Sequence, residues 1–118
     1  MHELSIVEAL IEQTEREVKR AQQQGRVVRL ELIIGRLSGV CCDSIRFAFD
    51  LLAPGTLVEG ATVDIAEPSA TCHCQQCDAR TEVEEITVNC PKCGSGQVVI
   101  EGGRDLVLQS IELENHEA

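Results

Sequence analysis

Aromatic side chains are almost absent from this 118-residue sequence, which has two Phe, no Tyr and no Trp. Core volume must come from Val, Ile, Leu and Ala, and the ring surfaces on which single-strand nucleic-acid binders stack bases are missing. Basic residues are scarce too, ten Lys and Arg against twenty Asp and Glu. Most of that deficit lies downstream: residues 1–50 carry a net charge of −1, residues 51–118 a net charge of −9. Such a surface repels phosphate backbones and anionic membranes, so neither nucleic acid nor membrane is expected as a partner. Metal cations or a basic protein surface suit it better. No apolar stretch approaches the roughly 20 residues of a membrane span. The start Met1-His2-Glu3 lacks the basic and apolar segments of a signal peptide, so a cytoplasmic location is expected. Histidine is limited to His2, His73 and His116, too few for an evident Ser/His/Asp or Cys/His catalytic set. There is no Gly-rich phosphate loop. An enzyme is therefore not expected, and any nucleotide hydrolysis would belong to a partner.

Cysteine is what the sequence has in excess. Seven is a high, odd number, and in a chain read as cytosolic it points to metal ligation rather than a disulfide framework. Cys74-Gln75-Gln76-Cys77 and Cys90-Pro91-Lys92-Cys93 present two thiolates each from a tight turn, and Gly94 supplies a residue suited to positive φ. A tetrahedral Zn(II) needs four soft donors about 2.3 Å away, and two facing turns of this kind make a zinc ribbon, with the intervening residues expected to form a hairpin. Iron in a similar four-sulfur site is the competing reading, because this geometry suits both metals. Four thiolates leave no open coordination position, so the site is structural rather than catalytic. Cys72 and His73, just ahead of the first pair, read as a spare thiol and an exposed imidazole or as substitute ligands. Cys41 and Cys42 read as small half-buried hydrophobes, with metal contact as the minor alternative.

Around this module the pattern is α+β. Val7, Leu10, Ile11, Thr14, Val18 and Ala21 fall at helical spacing within residues 4–24, with Ser5 and Glu8 as a capping box and Gly25 as a stop. Val27–Ile34 reads as a strand with Leu30, Leu32 and Ile34 on one face. Gly35–Gly39 reads as a turn. A second helix, capped by Asp43 or Ser44, runs to about Leu52 and buries Ile45, Phe47, Ala48, Phe49, Leu51 and Leu52. Ala61–Glu67 and Leu106–Glu114 complete a small three-stranded sheet with two helices. The expected organisation is one α/β domain over 1–68 and 103–118, with a zinc-ribbon module at 69–102 inserted before the last strand.

The N-terminus offers a different donor set. The amine of Met1, the imidazole and amide of His2 and the carboxylate of Glu3 are mostly nitrogen donors in one short stretch, suited to square-planar Ni(II) or Cu(II). In most chains an early His does nothing, so spacing alone is weak support. Met1 should be retained, because its removal normally requires a small second residue.

Taken together, Met1-His2-Glu3-Leu4-Ser5, Gly35-Arg36-Leu37-Ser38-Gly39, Phe47-Ala48-Phe49-Asp50 and the paired Cys-x-x-Cys units resemble the HypA/HybF family over essentially the whole chain. The resemblance implies a nickel metallochaperone for [NiFe]-hydrogenase maturation, in some members also for urease. It implies a nickel-binding domain and a zinc domain, with nickel passed on through the GTPase HypB to the hydrogenase large subunit precursor. Carried onto this sequence, His2 is the principal nickel ligand with Met1 and Glu3 as helpers, and Cys74, Cys77, Cys90 and Cys93 hold structural Zn(II). Some relatives have an acidic nickel contact before the second helix; Cys41-Cys42-Asp43 stands there in this chain, and Asp43 is the candidate. An exposed strand edge leaves room for a homodimer. The alternative from another class is a zinc-ribbon interaction adaptor in which His2 is dispensable, and a third is a redox protein working through Cys74/Cys77 or Cys90/Cys93.

Overall fold

A computed structural model describes residues 3–114. Among them the order of elements is α1 Glu3–Arg20, β1 Val27–Ile34, α2 Cys42–Leu52, β2 Thr62–Ala66, β3 Ala70–Cys74, β4 Arg80–Val83, β5 Val98–Glu101 and β6 Leu106–Leu113. The strands form two three-stranded sheets, β2-β1-β6 and β4-β3-β5. The class is the expected α+β, two helices and a small sheet, with a further small sheet around the cysteines. Two compact units share the chain. Of the described residues, one comprises 3–32, Cys41–Ile65 and 108–114; the other comprises Ile33–Val40 and Ala66–Val107. The cysteine-bearing unit is thus wider than 69–102, since it takes in the Gly35–Gly39 turn.

In the first unit the helical spacing of α1 buries Ile6, Val7, Leu10, Ile11, Thr14 and Val18, and α1 packs against α2. Thr14 is the polar member of this face. Its hydroxyl donates to the Leu10 carbonyl at 2.8 Å, so its burial leaves no orphaned donor. On β1, Leu30, Leu32 and Ile34 are buried and Arg29 is exposed, as the alternation predicted. Arg29 reaches Asp64 on β2 at 2.5 Å.

The helix ends differ from the sequence reading. Because α1 already includes Glu3, Ser5 and Glu8 lie inside it, both exposed, and no capping box is used. Its C-terminus comes at Arg20 rather than near Gly25. Gln22 adopts φ 55°, its N–H donates to the Lys19 carbonyl, and that of Gln23 donates to the Val18 carbonyl. This pair of bonds is a Schellman closure with Gln in the left-handed position. Beyond Val18 the chain has no further buried position on this face, Ala21 being exposed, so an extended helix would gain nothing from packing. In α2 the cap is Cys41, without a side-chain cap bond, rather than Asp43 or Ser44. The buried side is also narrower than expected: Ile45, Ala48 and Phe49 are buried, whereas Phe47 and Leu51 are exposed. Those two lie outside its packed stripe.

In the second unit β3 is the central strand, antiparallel to both neighbours, with Cys72 opposite Thr81 on β4 and Ile100 on β5. The chain between Cys77 and Cys90 therefore contributes one strand rather than a self-contained hairpin; β4 pairs back onto β3, where Ala70, Cys72 and Val83 form a small buried cluster flanked by Leu37, Val98 and Ile100. Short backbone bonds tie the Gly35 turn into this unit: Gly35 N–H to Asp105 O at 2.8 Å, Arg36 N–H to Pro68 O at 3.0 Å and Leu37 N–H to Gly103 O at 2.6 Å.

Candidate metal centre

Four sulfurs converge. The Sγ atoms of Cys74, Cys77, Cys90 and Cys93 all lie within 4.8 Å of one another, with Cys74–Cys93 at 3.6 Å and Cys77–Cys90 at 3.7 Å. These separations are far too long for disulfides. A tetrahedron with metal–sulfur bonds of about 2.3 Å has edges of about 3.8 Å, so the donor set fits a single tetrahedral metal ion.

The local backbone explains why these residues converge. In the first knuckle the N–H groups of Gln76 and Cys77 each donate to Cys74 Sγ at 3.4 Å, and the Asp78 N–H closes the turn on the Cys74 carbonyl at 3.0 Å. In the second knuckle Lys92 and Cys93 N–H groups donate to Cys90 Sγ at 3.3 and 3.4 Å, and Gly94 N–H closes on the Cys90 carbonyl at 2.9 Å. The residue after each second cysteine takes positive φ, 63° at Asp78 and 79° at Gly94. The two turns are thus one structure used twice.

These bonds set the chemistry of the thiols. Backbone N–H donation from Cys93 and Lys92 draws the Cys90 thiol down to about 6. At Cys93 the Ser95 backbone N–H lowers the value, but the Cys74 sulfur, burial and the Cys77 and Cys90 sulfurs push it up to about 12 overall. Cys74 is lowered, chiefly by the Cys77 N–H. Four crowded sulfurs cannot all be thiolates without a cation among them, whereas a divalent metal offsets that repulsion and displaces the remaining protons. With four protein ligands the coordination shell is closed, which suits a structural metal.

The neighbouring residues sort differently. Cys72 is buried in the β3 cluster, outside the four-sulfur group, and burial pushes its thiol pKa up. His73 is not the exposed imidazole expected from the sequence. Its side chain is 18% exposed, Nε2 meets Asp78 Oδ1 at 2.7 Å, and Nδ1 lies 3.3 Å from Gln75 Nε2. The pleat of β3 turns it to the face opposite Cys72 and Cys74, where Asp78 can reach it. The His73 bond in turn holds the Asp78 carboxyl below its ordinary value.

Asp78 is the residue that the sequence reading missed. Aligning the two Cys-x-x-Cys units puts it opposite Gly94, and Asp tolerates the left-handed region better than most residues. Asp78→Ala should lower the thermal midpoint of the metal-loaded protein by several degrees. Asp78→Gly should lower it less, because it loses the His73 bond but relieves the backbone. Calorimetry of the two variants checks this order.

Of the N-terminal donors, Glu3 is the first residue of α1 and half-buried, while Met1 and His2 lie outside the described residues. Glu3 shares an open depression with Leu4, Ser44, Phe47, Ala48 and Leu51. Cys41 is exposed, Cys42 half-buried, and Asp43 exposed in the first turn of α2. The expectation that both cysteines are half-buried therefore holds only for Cys42. Among the described residues the four cysteines are the one group of three or more potential metal donors. No helix among those residues is long and apolar enough to cross a membrane.

Comparison with known proteins adds an independent observation. Residues 1–113 match the family profile described as hydrogenase/urease nickel incorporation, metallochaperone, HypA. Proteins named hydrogenase maturation factor HypA are similar over nearly their full lengths. The one from Chlorobium limicola is 39% identical over 114 residues, 97% of each chain. The one from Syntrophus aciditrophicus is 41% identical over 116 residues, 97% of this chain and 98% of that one. Among solved structures, the Ni metallochaperone HypA from Helicobacter pylori superposes with a TM-score of 0.65 at 29% identity, covering 96% of this chain and 97% of that one.

Proposed function

We propose that this chain, which belongs to the HypA family of nickel-incorporation metallochaperones, binds Ni(II) through Met1, His2 and Glu3 and delivers it for [NiFe]-hydrogenase maturation. Zn(II) at Cys74, Cys77, Cys90 and Cys93 is the resident structural metal. The observation that carries this reading is the closed four-sulfur shell: a site with no open position holds its metal and does not hand it on. A transferable ion needs exposed ligands that exchange. The amine, imidazole and carboxylate at the chain's start meet that need, and because α1 begins at Glu3, the first helical amides have no intrahelical acceptor to compete for them. The protein acts by binding and transfer rather than by catalysis. Its partners in this reading are the GTPase HypB and the hydrogenase large subunit precursor, in the cytoplasm, with urease as a further target that the family's description allows.

Ni(II) titration of metal-loaded protein with an untagged N-terminus, alongside His2→Ala, tests the reading. The wild type should show a planar Ni(II) absorption spectrum, and His2→Ala should bind more than about a hundredfold more weakly, since loss of even supporting contacts at metal sites costs about ten- to a hundredfold. Zinc should stay bound in both. Because the Met1 amine and the His2 imidazole must both be deprotonated to ligate, nickel affinity should also fall on acidification. Equal binding by the two proteins, or release of zinc by nickel, would overturn the nickel site.

A further inference from the structure

The fold treats the two phenylalanines in opposite ways. Phe49 is buried, while Phe47 is 64% exposed. Leu51 and Leu4 are 55% and 46% exposed, and these three surround a depression of about 250 Å³ whose lining is completed by Ala48, Ser44 and Glu3. Phe47 and Leu51 are one helical turn apart, so they form a continuous ridge beside Leu4. A contiguous wet apolar patch forgoes burial that would otherwise stabilise the fold, and such patches mark interaction sites.

The rim is acidic. Asp43, one turn before Phe47, and Glu8, one turn after Leu4, are exposed, and Glu3 is part of the lining. Arg46, the only basic residue of α2, bonds through Nη1 to the Val63 carbonyl at 3.1 Å. On α1 the first basic residue is Arg16. Among the described residues, therefore, the side chains lining the depression are apolar, neutral or acidic, and no Lys or Arg of either helix is among them.

The geometry points to a docking surface on which the α1–α2 face receives an apolar, base-rimmed helix from a partner protein. A depression bordered by two helices suits the i, i+3, i+4 side chains of a third, and the acidic rim selects basic flanks and steers encounter. A second copy of this chain is the wrong occupant, because a two-fold contact would set Asp43, Glu3 and Glu8 against their own kind. Anionic membrane is disfavoured for the same reason. Docking here places the partner beside Glu3. That consequence rests on the nickel reading; the docking does not.

With only two Phe, protein labelled with 4-fluorophenylalanine gives two ¹⁹F resonances, assigned by Phe47→Leu. The probe is a short amphipathic Leu/Lys helical peptide, added to zinc-loaded, nickel-free protein. The peptide should shift the Phe47 resonance and leave that of Phe49, which doubles as a folding reporter, in place. A Phe47→Ser/Leu51→Ser variant should bind the peptide at least about tenfold more weakly while keeping wild-type nickel uptake. The surface is refuted if the Phe47 resonance does not respond, or if a scrambled peptide of equal charge without an apolar face binds as well. A Phe47 shift that follows protein concentration alone makes a second copy the occupant and overturns the proposal. The His2→Ala protein should bind the peptide normally. Lost nickel binding with retained peptide binding in the wild type would therefore sink the nickel reading alone.

Discussion

Cys90→Ser should abolish metal retention at the four-sulfur site and unfold the second unit, leaving the α1–α2 unit helical. The second unit has little else to hold it. Its buried side chains are Ile34, Ala70, Cys72, Cys74, Val83 and Cys90, two of them members of the four-sulfur group and one an alanine. A unit of that size with so small a core is of the kind that needs a staple, and for structural metal sites binding free energy is folding free energy. On the metal reading the two knuckles should depend on the ion as well, because without it the four crowded sulfurs share protons in a cluster that can oxidise or open. Amide spectra should lose the dispersed resonances of residues 70–101 while those of α1 persist, and chelation of the wild type should reproduce the pattern. Acid should do the same, since protons compete for every thiolate. Elemental analysis should find zinc, and a colourless protein would exclude the iron alternative. An apoprotein with β3, β4 and β5 intact would show that the metal is dispensable to the fold.

Gly35→Ala should destabilise the protein by about 3 kcal/mol or more, a large effect for one methyl group. The cause is space, not backbone conformation. A Cβ at Gly35 would overlap the backbone of Gly103 and Arg104, and the chain there is held by the Gly35–Asp105 and Leu37–Gly103 bonds. Neither side can retreat without breaking one of them. Gly39 makes the contrast. It takes φ 79°, and nothing lies within 4 Å of an added Cβ, so Gly39→Ala should cost only about 1 kcal/mol, for the left-handed backbone alone. Gly39→Asn should recover part of that cost, whereas Gly35→Asn should be worse than Gly35→Ala. Urea unfolding of the four variants at fixed metal loading separates the two causes.

Both glycines belong to the same turn in the sequence, and nothing local distinguishes them. The spacing of Val7, Leu10, Ile11, Thr14 and Val18, the alternation of Leu30, Leu32 and Ile34 and the repeated Cys-x-x-Cys were legible because each is a periodic pattern within one segment. The end of α1 was not, because Gln22 takes the left-handed closure once Val18 has exhausted the buried face, although Gly25 is the better local signal. The exposure of Phe47 and Leu51 is hidden for a similar reason: helical spacing allows a broad apolar face, and only the packing of α1 on α2 shows how narrow the covered stripe is. Asp78 carries little local signal because its two roles, the turn closure and the His73 contact, depend on the knuckle's backbone.

By itself the sequence determined the α+β class, the four-cysteine cluster, the donor-rich N-terminus and the acidic charge, all properties carried by residue type and short-range spacing. The tertiary structure alone decided that β4 pairs with β3, that Cys72 is core and His73 clamped, that Gly35 must lack a side chain and that Phe47 faces water. Those outcomes depend on which distant segments come within a few ångströms of each other, and a linear pattern encodes the strength of local preferences but not that proximity.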